Sequence, residues 1–186
     1  MARTTMANLI SDLRGKVAAG TADYTVGVTS YWTDDQLQAA LDEHQVIVDF
    51  EPLDYFGQRA GSIYEYKIYS ISLPNWEGTP TMMDSNGTSI SGTAFTWDYK
   101  IGRATFSADQ GGSARLVSGT IYDLNAAAAD VWKEKADYYA GAYDVATDNH
   151  SLKRSQLYDH ALKQYQRYSA LSGFGGASIT LVRGDM

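Results

Sequence analysis

The sequence predicts an α+β protein in which four helices form a bundle, a small antiparallel β subdomain interrupts it, and an extended C-terminal arm follows. Apolar residues recur at helical spacing towards both ends of the chain, whereas in the middle they alternate with polar residues. A glycine-rich segment then separates the last helical stretch from a short tail. These patterns divide the chain into a first helical half (1–60), an inserted β subdomain (61–122), a second helical half (123–172) and the arm (173–186).

Two helices are predicted before the β subdomain. The first runs from about Thr5 to Ala19, because its apolar residues share one helical face. The second begins at the capping-box pattern Thr33-Asp34-Asp35-Gln36. Its apolar stripe is predicted to continue to Val48, with Pro52 closing the segment. The opposite, polar stripe carries three carboxylates, those of Asp35, Asp42 and Asp49.

The middle of the chain has the pattern of strands joined by tight turns. Apolar and polar residues alternate from Ser62 onwards, as they do in a half-buried strand. The segment 84–87, Asp-Ser-Asn-Gly, is typical of a turn. The segment 99–102 indicates a hairpin turn between two strands, Phe95–Asp98 and Arg103–Phe106. A last strand is predicted over Arg115–Tyr122.

Two further helices are predicted after the β subdomain. The third starts near Asp123 or Asn125, both acceptable N-cap residues, and is expected to continue to Ala146. The fourth runs from about Lys153 to Leu171, with its apolar residues on one face.

The composition argues against several classes of function. With 44% hydrophobic and 20% charged residues, the chain can bury a core. Cysteine is absent, which excludes disulfides, a thiol nucleophile and thiolate metal ligands. A net charge of −7 argues against tight wrapping of DNA by a basic face. No apolar stretch is long enough for a membrane helix, so a product made in a cytoplasm, without membrane contact, is expected.

No motif supports catalysis or metal binding, and an enzyme is not expected. The three histidines, His44, His150 and His160, fall on different predicted elements and lack the short spacing of metal-ligand pairs. Adjacent acids such as Asp34 and Asp35 point apart on a helix and are typical of a solvated face. Nucleophile elbows and phosphate-binding glycine loops are missing from the sequence. The sequence therefore predicts no catalytic residues, no metal ligands and no cofactor.

Charge is distributed unevenly along the chain. No Lys or Arg occurs between Lys16 and Arg59, although this segment is rich in Asp and Glu. The last predicted helix is basic instead. Such asymmetry allows copies of one chain to meet head to tail through opposite charges. The candidate inter-subunit basic face consists of Lys153, Arg154, Lys163 and Arg167.

Several segments occur in a distinctive order. The segment Leu9–Leu13, which opens a short helix, is followed by Tyr31–Asp42, then by Tyr122–Val131 and by Arg154–Ala170, and last by the short arm Ile179-Thr180-Leu181-Val182-Arg183. This series resembles the four helices and C-terminal segment of the head–tail connector (adaptor) proteins of siphophages. The smallest members of that family join helices two and three directly, so the role of the β subdomain is not implied by the resemblance.

The resemblance implies a structural virion protein of the phage neck, assembled in the host cytoplasm. It implies a connector-type bundle that forms a ring, commonly dodecameric, between the portal protein and the tail or a stopper protein. Double-stranded DNA would pass through the ring without sequence-specific contact, and packaged DNA would be retained. The arm residues Ile179, Thr180, Leu181, Val182 and Arg183 are then expected to dock on the portal, as a strand added to a sheet edge.

A DNA channel should not hold phosphates, because each basic contact adds affinity for the backbone. The three carboxylates Asp35, Asp42 and Asp49 are therefore expected to face the lumen of the ring.

Two alternatives remain open at this point. A virion decoration or carbohydrate-binding module would use the aromatic strand residues, although the same residues would also form the core of a small sheet. A different virion ring, such as a tail terminator, would need a predominantly β core, which the four predicted helices argue against. The aromatic residues in question are Tyr64, Tyr66, Phe95, Trp97 and Tyr99.

Overall fold

The computed structural model describes residues 1–20, 23–140, 145–147, 150–152 and 155–173. They form a helical unit and a β subdomain, each with its own hydrophobic core. The helices are α1 (Ala7–Val17), α2 (Asp34–Asp42), α3 (Leu124–Ala140) and α4 (Ser155–Leu171), with a 3-10 turn, Thr4–Met6, before α1.

The strands are all antiparallel to their neighbours. Two short hairpins, β1 (Thr25–Val26) with β2 (Thr29–Ser30) and β11 (Val145–Thr147) with β12 (His150–Leu152), stand apart from the larger sheets. The remaining strands are β3 (Gln45–Pro52), β4 (Asp54–Ala60), β5 (Ile63–Ser70), β6 (Thr81–Asp84), β7 (Ser89–Ile90), β8 (Phe95–Asp98), β9 (Arg103–Phe106) and β10 (Arg115–Tyr122). They form two four-stranded sheets, ordered β3-β10-β6-β7 and β4-β5-β9-β8.

The fold class predicted from the sequence is wrong in its main feature, the four-helix bundle. The chain is α+β, but strands make up most of its elements, and α2 ends after nine residues. The expected apolar stripe is interrupted after His44, because Val46, Ile47 and Val48 are consecutive β-branched residues, which favour a strand. They lie in β3, and Pro52 ends that edge strand rather than a helix.

The boundary of the β subdomain is also earlier than the expected residue 61. Strands begin at Gln45, so residues 45–60, assigned to the helical half, form β3 and β4. The chain returns to the helical unit at Asp123, whose backbone N–H donates to the carbonyl of His44 at 3.1 Å. The β subdomain therefore leaves and re-enters the helical unit at one point.

The helices begin where the sequence predicts. The capping box at α2 is confirmed, since the N–H of Thr33 donates to Oε1 of Gln36 at 2.9 Å. The N-cap of α3 is confirmed at Asp123, whose Oδ1 accepts the N–H groups of Asn125 and Ala126 at 2.9 and 3.0 Å. The continuation of α3 to Ala146 is wrong, because Ala146 lies in β11.

The core of the helical unit lies where α3 packs against the other three helices. Its buried residues come from every helix, and the predicted apolar face of α1 is buried. By contrast, α4 contributes one fully buried residue, Ala161, and covers the core from outside. The principal core residues are Leu9, Leu13, Val17, Leu37, Leu41, Ala127, Ala128, Val131 and Ala161.

The turns of the β subdomain agree with the sequence. Strands β8 and β9 have the predicted bounds, with Phe95 opposite Phe106. Between them, Gly102 has φ +62°, and a Cβ there would lie 2.5 Å from the carbonyl oxygen of Leu73. The turn at 84–87 is held by Asp84, whose Oδ1 accepts the N–H groups of Asn86 and Thr88. These turns bring the two sheets around one core of Val48, Tyr69, Trp76, Met82, Phe95, Phe106 and Val117.

An ionic network joins the β subdomain to the amino terminus of the helical unit. Arg3 Nη2 lies 2.6 Å from Oδ1 of Asp42, and its Nε lies 3.1 Å from Oε1 of Glu77. Glu77 also accepts hydrogen bonds from the hydroxyls of Thr5 and Tyr122, both at 2.6 Å. Burial by itself raises the pKa of Glu77, but these hydrogen bonds and the Arg3 charge outweigh it and lower the pKa overall.

Candidate functional site

The side of α3 that faces the end of α2 is strongly acidic. Asp130, Glu134 and Asp137 recur there at helical spacing, and Glu43 at the end of α2 lies beside them. A shallow depression of about 200 Å³ lies between the two helices and is lined by Glu43, Asp130 and Glu134. We call these four carboxylates the acidic face. Among the described residues, the one hydrogen-bonding partner of these carboxylates is His44, whose Nε2 is 2.6 Å from Oδ2 of Asp130.

The carboxylates of the acidic face repel one another. Burial raises the pKa of Glu134, and the charges of Asp130, Glu43 and Asp137 raise it further. Like charges four residues apart on a helix are unfavourable by themselves. A positively charged group brought to this surface would relieve that repulsion.

Three groups of this region also have the donor types of a metal site. The ligand atoms of Glu43, His44 and Asp130 lie within 4.8 Å of one another. Sequence spacing did not indicate this cluster, because Asp130 comes from a different helix, far along the chain. The groups are half-exposed or exposed, and exposed acidic groups commonly gather without an ion. Their geometry fits a general cation-attracting surface rather than a closed coordination shell.

The opposite side of the helical unit carries basic residues. Lys163 and Arg167 are exposed on α4, one turn apart. Neither makes an ion pair with any residue that the structure describes, and Arg167 instead lies over the ring of Tyr168, 5.5 Å from its centroid. Lys153 and Arg154, the other predicted members of the basic face, lie outside the described residues.

The three carboxylates predicted to face a lumen do not share one helix face. Asp35 and Asp42 lie on α2, but Asp49 lies on β3, because the helix ends before it. Two of them also have basic partners, contrary to the expectation from sequence. The Met1 amino group is 3.1 Å from Asp35, and Arg3 is 2.6 Å from Asp42.

Asp49 helps to hold a bulge in β3. The register with β10 shifts between Val117 and Gly119, and at this shift Phe50 has φ +52°, a conformation rare for an aromatic residue. The hydroxyl of Ser118 accepts the N–H of Phe50 at 2.9 Å and donates to Oδ1 of Asp49 at 3.0 Å. The bulge turns the Phe50 ring outwards, where it is 55% exposed. No signal in the sequence indicated it.

Exposed apolar side chains are also frequent on three successive strands of the β subdomain. Strands β3 and β4 are edge strands of the two large sheets, and β5 is paired with β4. Together these three strands expose seven large apolar side chains, those of Val46, Ile47, Phe50, Tyr55, Phe56, Ile63 and Tyr64. Long apolar edge strands favour pairing or packing with another chain.

The aromatic residues predicted to form one strand face are not brought together as a platform. Tyr64 and Tyr66 lie on β5, whereas Phe95 and Trp97 lie on β8, and β9 runs between these strands. Phe95 is buried in the sheet core.

The predicted portal-docking arm, Ile179, Thr180, Leu181, Val182 and Arg183, lies outside the described residues. Comparison of the chain with protein-family models, with curated proteins and with solved structures found no match. Among the helices that the structure describes, none has both the length and the apolar character needed to cross a bilayer.

Proposed function

We propose that this chain is a structural virion subunit that forms a ring between the portal and the tail of a tailed bacteriophage. The observation that carries this function is the concentration of exposed apolar side chains on β3, β4 and β5. Exposed apolar side chains on long edge strands favour pairing or packing with another chain, which then covers that surface. A subunit that is surrounded by neighbours in an assembly has partners for such a surface.

The likeness to siphophage connector proteins supports the same function. The segments that resemble the family's helices do form helices here: Leu9 and Leu13 lie in α1, residues 34–42 form α2, and residues 124–131 begin α3. The likeness does not extend to the β subdomain, which supplies most of the exposed apolar surface. We therefore assign the β subdomain to contacts with other virion proteins.

In this assembly the portal lies above the ring and a tail or stopper protein below it. Double-stranded DNA passes through the channel without sequence-specific contact, and the arm 179–183 docks on the portal. Asp35 and Asp42 lie about 20° apart around α2, given about 100° per residue, and are the candidates for the lumen side of that helix. Asp49, on β3, belongs to a different surface.

A tail terminator is the second candidate, and the predominance of strands favours it. The sequence argued against such a ring because four helices were expected to form the core, whereas the structure has two four-stranded sheets around a core of their own. Both candidates are rings of identical subunits, but they dock on different partners. A connector binds the portal, and a terminator binds the end of a tail tube.

Electron microscopy of the purified protein, mixed separately with the portal and with the tail-tube protein from its own genome, tests both candidates. A ring stacked on the portal, with a channel wide enough for duplex DNA, is the expected result. A chain that lacks residues 179–186 serves as the matched variant. It should keep its fold but no longer bind the portal protein.

Three other outcomes would contradict parts of the connector function. Rings on the tail tube alone would favour the terminator. A monomer that ignores both partners but binds glycans would favour a carbohydrate-binding module. Retained portal binding by the shortened chain would remove the docking role of the arm.

A further inference from the structure

Helix α3 is flanked by different neighbours on its two sides. On one side it contacts α4: the ring of Trp132 is 5.5 Å from that of His160, and Nδ2 of Asn125 donates to the carbonyl of Leu171 at 3.0 Å. On the other side Asp130 meets His44 at the end of α2. Asp130 and Trp132 are separated by about 160° around the helix axis, given about 100° per residue. The acidic face therefore lies on the side of α3 that is turned away from α4.

The basic residues of α4 lie away from its buried side. Ala161, the buried residue of α4, marks that side. Lys163 is about 160° and Arg167 about 120° from Ala161 around the axis, and both are exposed. The helical unit thus carries negative charge on one flank and positive charge on the opposite flank.

Neither flank is neutralised within the part of the subunit that the structure describes. There the acidic face has one partner, His44, and Lys163 and Arg167 make no ion pair. The buried cation on α3, Lys135, does not serve the acidic face, because it pairs with Asp23 and donates to the carbonyl of Val17. The like charges within each flank repel one another, and the two flanks are complementary in charge.

We propose that α4 of one copy docks through Lys163 and Arg167 on the acidic face of the next copy, formed by Glu43, Asp130, Glu134 and Asp137. This contact rests on the proposed function, because it specifies how neighbouring subunits of the ring meet. Opposite flanks of one chain make a head-to-tail contact, and a head-to-tail contact closes into a ring when the rotation between copies permits. A two-fold dimer that joined matching flanks would instead place like charges against each other.

The contact has two physical consequences. It is formed by exposed charges, which salt screens, so rings should be lost as ionic strength rises. Exposed ion pairs are weak individually, so free subunits should remain separate until the portal holds them side by side at high effective concentration.

Charge reversal tests the contact. The first variant, Glu43→Lys with Glu134→Lys and Asp137→Lys, leaves Asp130 as the one carboxylate of the acidic face and makes that face basic. The second, Lys163→Glu with Arg167→Glu, makes the α4 face acidic. Each variant alone should fail to form rings on the portal in electron microscopy, because like charges then meet. An equimolar mixture of the two should recover rings in which they alternate, since every contact again joins opposite charges. Ser11→Glu, which adds a charge at an exposed position of α1 outside both faces, is the control and should assemble normally.

The outcomes separate this contact from the function on which it rests. Wild-type rings on the portal, together with unimpaired rings from either variant alone, would overturn the contact and leave the connector function standing. Wild-type protein that forms no ring would overturn both. A mixture that stays dispersed, although circular dichroism shows both variants folded, would also reject the contact. Recovery in the mixture cannot arise from a folding defect, because neither chain regains its own charges.

Discussion

The guanidinium of Arg3 lies 3.1 Å from the carboxylate of Glu77 and so links the amino terminus of the helical unit to the segment between β5 and β6. The carboxylate of Glu77 is 19% exposed, and it accepts hydrogen bonds from Arg3, Thr5 and Tyr122. The docking of the β subdomain on the helices therefore depends on an ionised carboxylate.

Replacing Glu77 with Gln should lower the free energy of unfolding by about 1.5–3 kcal/mol, the usual range for hydrogen bonds to a charged group. The pKa of Glu77 is lowered in the folded chain. Its contribution is therefore fully present above its unfolded pKa of about 4.3 and is lost as pH falls through the lower, folded value. Urea unfolding of both chains between neutral and acidic pH measures this, and the two curves should converge in acid. Glu51→Gln, on β3, is the control, and an equal loss in that variant would contradict the special role of Glu77.

Gly102 should tolerate no side chain. An alanine there would need φ near +62° and would place Cβ within 2.7 Å of the carbonyl oxygens of Leu73 and Ile71, which are backbone atoms that cannot rotate away. We expect Gly102→Ala to destabilise the chain by well over about 1 kcal/mol. Gly61 has a similar φ, +66°, and a Cβ added there would meet no heavy atom within 4 Å, so Gly61→Ala reports the backbone strain alone. If thermal unfolding shows that Gly102→Ala and Gly61→Ala lose equal stability, the backbone around residue 102 must shift to relieve the close contact.

Replacing Phe50 should keep or raise the stability of the chain but weaken its assembly. Its φ of +52° is a conformation that costs about 1–3 kcal/mol for most residues, and Asn adopts it more readily. Phe50→Asn should therefore preserve or raise the free energy of unfolding while weakening ring formation or portal binding. Co-sedimentation with the portal, next to urea unfolding, measures both. A variant that assembles as well as wild type would show that the exposed side chain of Phe50 makes no contact in the proposed assembly.

Lys135 should stabilise the packing of α3 against the carboxyl end of α1. Its side chain is 3% exposed and donates to the carbonyl of Val17, and its ammonium lies 4.6 Å from the Trp132 ring centroid. Lys135→Met keeps the apolar stem but leaves Asp23 and the Val17 carbonyl without their cation. We expect a loss of about 1–3 kcal/mol, the penalty for unsatisfied buried groups. The exposed neighbour Lys133, changed to Met, should have little effect in the same thermal unfolding measurement.

The sequence predicted the local features well because their causes are local. The strands on either side of Gly102 and the N-cap at Asp123 follow from a few adjacent residues. The end of α2 was missed because Ile47 and Val48 continue its helical spacing by coincidence, and strand pairing with β10 decides their conformation.

The candidate surfaces were predicted less completely. The spacing of Asp130, Glu134 and Asp137 is visible in the sequence and could have indicated an acidic helix face. The contact of Asp130 with His44 could not be foreseen, because it depends on how the β subdomain returns the chain to α3. The Phe50 bulge depends on the register between two strands, which no single segment encodes.

The hydrogen bond between the N–H of Asp123 and the carbonyl of His44 joins the two ends of the β subdomain. Seen from the helices, everything between these two residues occupies the place of a single tight turn. A segment of any length whose ends meet at these two residues fits between α2 and α3 without moving either helix. The packing of the helices therefore does not limit the length of the β subdomain.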